Sequence, residues 1–182
     1  PEFARARYFN GAMLAAGGDL NAAQLEFERA ATSEAAPELV RQQAWLALGR
    51  VHYELGNYSE AVSAYQKLHG NDPGNYLYLE YLLNLGRTLR KPTSFQKQIL
   101  RKMLALQGDN LSVLEQLADM TGDMRLVNRG LKLDPRNGKL LYMKGTHYYD
   151  SWKKSGSKQD STRALSWFEK ARNDPQWSGT AK

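Results

Sequence analysis

The feature that most constrains the fold of this chain is an internal repeat with a period of 38 residues. Two glycines, an alanine and an aromatic residue recur in two consecutive stretches at this one offset. They are Gly11, Gly18, Ala23 and Phe27 in the first stretch, and Gly49, Gly56, Ala61 and Tyr65 in the second. A period between about 20 and 50 residues is typical of proteins that stack one supersecondary unit many times. The repeat therefore predicts an array of stacked units.

Residues 44–73 predict that each unit is a pair of antiparallel helices. Apolar residues recur at helical spacing from Arg41 to Leu55. They recur at the same spacing from Ser59 to Leu68. Gly56 lies between the two predicted helices, because glycine tolerates the left-handed conformation that follows a helix end. Pro73 ends the second helix, since proline lacks the backbone donor. Such a hairpin cannot bury both of its faces alone, so it needs neighbouring units.

These residues resemble the tetratricopeptide repeat, a family whose unit is a helix pair. Eight signature positions occur in order and at the family's spacing: Trp45, Leu48, Gly49, Gly56, Tyr58, Ala61, Tyr65 and Pro73. One position departs from the family pattern, because His52 stands where tyrosine is usual. Gly49 and Ala61 are the small residues expected to let the two helices approach closely. The resemblance implies a packing code and gives none of these residues a catalytic role.

The resemblance covers nearly the whole chain and implies an all-α fold. Five units are expected, at roughly residues 3–31, 38–71, 76–106, 111–135 and 139–175. They would form a right-handed superhelix of about five antiparallel helix pairs, a TPR-like α-solenoid that makes a single domain of residues 1–182. Seven extra residues at the turn of the last unit, near 152–161, either extend the preceding helix or form a loop that contacts a partner. Because the chain begins at Pro1 without an initiator methionine, we expect a fragment of a larger protein.

The family resemblance also implies where a partner would bind. In tetratricopeptide proteins the first helix of each pair lines a concave groove, which usually holds a peptide or a helix of another protein. The equivalent residues of this chain are Tyr8, Gln43, Leu46, Arg50, Tyr53, Leu83, Arg87, Arg90, Tyr142 and Tyr149. Aromatic residues and arginines suit recognition, because they supply a large contact area and forked hydrogen bonds. The alternative is a solvated inner face without a partner. We therefore interpret the chain as a non-catalytic scaffold that binds another protein and assembles a multiprotein complex.

A basic segment suggests a different function. Residues 86–103 contain no acidic residue and six basic ones: Arg87, Arg90, Lys91, Lys97, Arg101 and Lys102. A basic helical repeat of this kind would contact nucleic acid or another anionic surface. However, solvated helix faces are often equally basic. The net charge of +6 is far below the charge density of a dedicated nucleic-acid binder, so a protein partner is favoured over nucleic acid.

Other classes of function find no support in the sequence. The chain has no cysteine, which excludes disulfides, thiolate zinc sites and cysteine nucleophiles. Its three histidines lack metal-ligand spacing, and it has no phosphate-binding loop or nucleophile motif. We therefore predict no catalytic residue, no metal and no cofactor. No apolar run reaches the ~20 residues that span a bilayer, so no transmembrane segment is predicted. Apolar surface at the end of a repeat array would allow self-association.

Overall fold

The computed structural model describes residues 2–174, and this part of the chain is built from α-helices joined by short turns. The described residues contain no β-strand, which confirms the predicted all-α class. The ten helices of this part are α1 (Glu2–Ala16), α2 (Leu20–Ala31), α3 (Glu38–Glu54), α4 (Tyr58–Asn71), α5 (Tyr76–Thr88), α6 (Thr93–Leu106), α7 (Leu111–Thr121), α8 (Met124–Leu133), α9 (Gly138–Ser155) and α10 (Lys158–Arg172). Pro175, the predicted end of the fifth unit, lies outside the described residues.

The chain divides into two compact units, one through Ile99 and one from Leu100. In the first unit, α2 packs against both α1 and α3, and α4 packs against both α3 and α5. In the second unit, α8 packs against α7 and α9, and α9 packs against α10. Within each unit, successive hairpins therefore pack against one another, as the repeat requires. The single domain over residues 1–182 stays a prediction.

The turn between α3 and α4 follows the sequence prediction closely. Helix α3 ends at Glu54, one residue before the predicted end, and α4 begins at Tyr58, one residue before the predicted start. Gly56 has a φ of +77°, the left-handed conformation predicted for it. Gly18 occupies the equivalent turn between α1 and α2 with a φ of +85°. The 38-residue period is therefore a period of backbone geometry as well as of sequence.

A glycine of the first helix faces an aromatic ring of the second helix in four of the pairs. The four contacts are Gly11 with Phe27, Gly49 with Tyr65, Gly86 with Phe95, and Gly145 with Phe168. A Cβ atom at these glycines would lie 2.9, 2.9, 2.7 and 2.6 Å from the nearest ring atom, respectively. Such distances are shorter than van der Waals contact, so a larger residue would push the helices apart. These glycine–aromatic contacts therefore let the two helices of each pair approach closely, as the packing code predicted.

The extra residues of the last pair lengthen its helices. Helix α9 runs for 18 residues to Ser155, and α10 begins at Lys158 after a turn formed by Gly156 and Ser157. Gly156 has a φ of +69°, and the Ser157 side chain accepts a hydrogen bond from the Asp160 backbone N–H at 3.3 Å. Ser151 and Asp160 join the two lengthened ends through a hydrogen bond of 2.8 Å. The alternative prediction of a loop at 152–161 is therefore wrong, and contact of this segment with a partner stays a prediction.

Candidate partner-binding site

Two of the predicted groove residues, Arg50 and Tyr53, line one open cavity of about 400 Å³ in the first unit. We call it the tyrosine cavity, and its lining residues are Arg50, Tyr53, Glu54, Tyr65, Tyr81, Asn84 and Leu85. The residues come from the C-terminal end of α3, the middle of α4 and the middle of α5. Tyr53 leaves 48% of its surface exposed, so its ring is accessible to a partner. The cavity is of the size that holds a small molecule or a few residues of a peptide.

A stack of two tyrosines forms the rigid wall of this cavity. The rings of Tyr65 and Tyr81 lie 4.6 Å apart between centroids, with an angle of 21° between their planes. Tyr65 is buried, and burial raises the pKa of its hydroxyl to about 12. The hydrogen bond between the Arg50 guanidinium and Tyr81 raises the pKa of Arg50. The tyrosine cavity therefore presents a charged guanidinium, which is hydrogen-bonded to Tyr81, beside the neutral phenol of Tyr65.

The other predicted groove residues of the first unit lie outside this cavity. Tyr8 is half-buried and packs against Phe27, with ring centroids 5.8 Å apart. Gln43 is exposed and Leu46 is half-buried. Leu83 leaves only 5% of its surface exposed, so its side chain belongs to the core and does not suit partner contact. Arg87 and Arg90 are exposed.

In the second unit, Tyr142 lines a separate open cavity of about 380 Å³. Met124 and Met143 contribute apolar surface to this cavity, and Lys139 forms an ion pair with Asp119 across it at 3.1 Å. Tyr149 is not among the lining residues; its ring lies 5.5 Å from that of Trp152. The two predicted tyrosines of α9 are therefore not brought together.

The residues of the alternative basic site are distributed over both units. Arg87 and Arg90 are exposed, and Lys91 and Lys97 are half-buried, all in the first unit. Arg101 and Lys102 are exposed in the second unit. A nucleic-acid site at residues 86–103 stays a prediction.

Apolar side chains are exposed on α1, the first helix of the first unit. Phe3, Phe9 and Met13 leave 85%, 63% and 75% of their surfaces exposed, respectively. Phe9 and Met13 lie one helical turn apart and so share a face. This is the kind of surface on which self-association was expected. Self-association itself stays a prediction.

His52 is a buried titratable residue of α3. It leaves 8% of its surface exposed, and its Nδ1 atom has no hydrogen-bond partner within residues 2–174. Burial lowers the pKa of His52 below its ordinary value of 6.5, although the charges of Glu60 and Glu28 act in the opposite direction. No group of three metal-ligating side chains occurs in this same part of the chain. His52 is therefore a core residue with an acid-sensitive charge state.

His52 should make the first unit less stable at acidic pH. As the pH falls below about 6.5, the unfolded histidine binds a proton that the folded one does not, so the free energy of unfolding falls until the folded pKa is passed. Replacing His52 with leucine should remove this contribution. Urea unfolding at about pH 7.5 and about pH 5 would measure it, with the wild type losing more stability than His52→Leu. Equal losses in both proteins would contradict the assignment.

Comparisons with known proteins agree with this architecture. Residues 14–76 match the family model for the tetratricopeptide repeat. The solved structure of MamA from AMB-1 is 17% identical, with a TM-score of 0.59 over 98% of this chain and 93% of that one. YrrB, described as a TPR protein with an unusual peptide-binding site, is 17% identical, with a TM-score of 0.58 over 96% of this chain and 89% of that one.

A tetratricopeptide repeat protein from Parabacteroides merdae ATCC 43184 is 13% identical, with a TM-score of 0.60 over 98% of this chain and 77% of that one. No curated protein sequence matches the chain. None of the described helices is long and apolar enough to cross a membrane. The comparisons confirm the predicted resemblance and the helical-repeat fold.

Proposed function

We propose that this chain, whose residues 14–76 match the tetratricopeptide repeat model, is a non-catalytic scaffold that binds a partner protein through the tyrosine cavity. The observation that carries the proposal is the combination of Tyr53, which is 48% exposed, with Arg50 and Asn84 at an open cavity of about 400 Å³. Binding sites in proteins are typically concave and mostly apolar, with a few polar groups that fix the orientation of the ligand. The tyrosine cavity has this composition.

The side chains at this cavity suit a short peptide segment. The Asn84 amide is both a donor and an acceptor, so it can pair with the N–H and C=O groups of a peptide backbone. The Tyr53 ring offers a large contact area at a low cost in conformational entropy. Because Arg50 is already hydrogen-bonded to Tyr81, its orientation is set before a partner binds. A segment with an apolar residue beside an acidic residue would meet both Tyr53 and Arg50.

The family likeness adds support for a peptide partner. YrrB, one of the similar structures, is described as having an unusual peptide-binding site. Open cavities occur in both compact units of this chain, among them the tyrosine cavity in the first and the Tyr142 cavity in the second. Two cavities on one chain would let it hold two segments, which is the property a complex-assembling scaffold needs.

The proposal predicts that a charge at Tyr53 removes the partner. Tyr53→Glu places a carboxylate in the tyrosine cavity, beside Glu54, where it would repel an acidic segment and lose the aromatic contact. Leu25→Glu is the matched control, because Leu25 is 54% exposed on α2 and does not line the cavity. The wild type and the two variants would each be used as a bait in cell lysate, and the captured proteins would be quantified by mass spectrometry. The amount of captured partner should be at least about tenfold lower with the Tyr53→Glu bait than with the wild type, and unchanged with the Leu25→Glu bait.

The same experiment can contradict the proposal. Circular dichroism first establishes that both variants retain the helical content of the wild type. If every captured protein is retained by the Tyr53→Glu bait, the tyrosine cavity is not the binding site. If the captured species is nucleic acid that is released steeply as salt rises, the basic segment 86–103 is the functional one.

A further inference from the structure

One wall of the Tyr142 cavity is a single face of helix α9. The lining residues on this helix recur every three or four positions: Lys139, Tyr142, Met143, Thr146, His147 and Asp150. Residues at this spacing share a helix face. The opposite wall comes from the end of α7, the turn after it and the start of α8. Because a helix rises 1.5 Å per residue, the α9 wall is about 16 Å long, which matches about five residues of extended chain.

The charges that line this cavity leave one carboxylate unpaired. At one end of the α9 wall, Lys139 forms an ion pair with Asp119 of α7 at 3.1 Å. At the other end, Asp150 is exposed, and its carboxylate forms no ion pair and accepts no hydrogen bond within residues 2–174. Two carboxylates and one ammonium group therefore line the cavity, and the carboxylate in excess is that of Asp150.

Two lysines on the next turn of α9 do not pair with Asp150. Lys153 and Lys154 follow it by three and four residues, so they are its neighbours on the helix surface. The Lys153 ammonium group lies over the ring of Tyr149, 4.8 Å from the ring centroid, and Lys154 is exposed. Neither lysine is among the residues that line the cavity. The Asp150 carboxylate is therefore accessible to a cation that enters the cavity.

Apolar surface lies between the two charged ends of the cavity. Met143 of α9 and Met124 of α8 line it from opposite walls. Methionine side chains are flexible, so they adapt to apolar groups of different shapes. Tyr142 leaves 46% of its surface exposed, and its ring is supported by Phe168, with ring centroids 5.3 Å apart. The turn at Gly122 leaves the opposite wall low, since a Cβ atom there would meet nothing within 4 Å.

We propose that the Tyr142 cavity binds an extended segment of a partner protein in which an arginine is flanked by apolar residues. The guanidinium group would donate two parallel hydrogen bonds to the Asp150 carboxylate, and the apolar neighbours would pack on Met124 and Met143. An acidic residue in place of the arginine would be repelled by Asp150. The proposal deepens the proposed function, because it rests on the same role as a protein-binding scaffold, but it shares no residue with the tyrosine cavity.

The test is a titration of the whole chain with the peptide acetyl-Ser-Ala-Leu-Arg-Leu-Ala-Ser-amide, followed by two-dimensional NMR of the backbone amides at about 0.15 M salt. The largest shifts are expected at Tyr142, Thr146 and Asp150. Asp150→Asn should bind the peptide about fivefold more weakly than the wild type. The matched control is Glu169→Gln, which removes the same charge from an exposed residue of α10 that does not line the cavity. The control should bind within about twofold of the wild type.

Several results would overturn the proposal. Equal losses in Asp150→Asn and Glu169→Gln would mean that net charge alone attracts the peptide. Equal binding of the same peptide with glutamate in place of arginine, or an absence of shifts at the three amides, would mean that the cavity does not select this segment. Binding of acetyl-arginine-amide as tightly as the whole peptide would assign the cavity to a small cation.

The experiment also separates this proposal from the tyrosine cavity. Tyr53→Glu should bind the arginine peptide as the wild type does, because Tyr53 does not line the Tyr142 cavity. Loss of the lysate partner from the Tyr53→Glu bait tests the tyrosine cavity alone, so the two sites can fail independently. Circular dichroism establishes that each variant is folded before it is titrated.

Discussion

Replacing Leu140 with alanine is expected to lower the free energy of unfolding of the second unit by about 2–5 kcal/mol. Leu140 is completely buried in α9, where it packs in a cluster with Ala118 of α7 and Val127 of α8. Its loss removes apolar contacts and leaves a cavity at the point where three helices meet. Urea unfolding followed by circular dichroism would measure the effect. Leu165→Ala is the control, because Leu165 is 62% exposed and should change stability by less than about 0.5 kcal/mol.

A second substitution tests the geometry of this contact directly. A Cβ atom at Gly130 of α8 would overlap the Leu140 side chain. Gly130→Ala should therefore destabilise the wild type, by about 1–3 kcal/mol. In the Leu140→Ala background the same change should be neutral or stabilising, because the new methyl group fills the cavity and alanine favours the helix. Additive effects of the two substitutions would contradict the contact, since independent sites add and touching ones do not.

Replacing Gly49 with alanine should lower the free energy of unfolding of the first unit by about 1–3 kcal/mol. The added Cβ would lie 2.9 Å from Tyr65 Cζ. Tyr65 cannot move away easily, because its other neighbour is the Tyr81 ring at 4.6 Å. The strain therefore outweighs the higher helix propensity of alanine. Thermal and urea unfolding would both report the change.

Gly70 provides the matched comparison for Gly49. It also lies in a helix, α4, but a Cβ atom there would meet nothing within 4 Å. Gly70→Ala should therefore leave stability unchanged or raise it by up to about 1 kcal/mol. A similar response at both glycines would mean that backbone propensity, and not the contact with Tyr65, determines the effect.

The sequence predicted the helix pairs because their packing code is local. The spacing of 16 residues from Gly11 to Phe27 and from Gly49 to Tyr65 spans one hairpin, and the structure places each glycine against its aromatic partner. In the last pair the spacing is 23 residues, and the seven extra residues are absorbed by longer helices. Gly145 and Phe168 therefore still meet.

The third pair departs from the 16-residue spacing between glycine and aromatic ring. Gly86 contacts Phe95, which follows it by only nine residues. The aromatic ring thus comes from the first turn of α6, a position that the family signature does not mark. A search restricted to the 16-residue spacing misses this contact. The signal that identifies it is the presence of one glycine and one aromatic residue on either side of the turn at Pro92.

The candidate sites were less predictable than the fold, because they depend on how neighbouring helices are staggered. Arg50 and Tyr53 were predicted as groove residues, but Tyr81 and Asn84 were not, although they line the same cavity. Their position follows from the Tyr65–Tyr81 stack, which is a contact between successive hairpins. Leu83 was predicted to face a partner, but only 5% of its surface is exposed. Periodicity in a single sequence shows which face of a helix is apolar. It does not show how far neighbouring helices are staggered along their axes.

The central claim, that a partner protein occupies the tyrosine cavity, is tested most directly by photocrosslinking at Tyr53. The photoreactive residue benzoylphenylalanine would replace Tyr53 in one protein and Leu25 in another, since both positions are exposed and only Tyr53 lines the cavity. After irradiation in lysate, we expect a covalent adduct with one partner protein from position 53 and none of that partner from position 25. The same adducts from both positions, or adducts from position 25 alone, would contradict the claim.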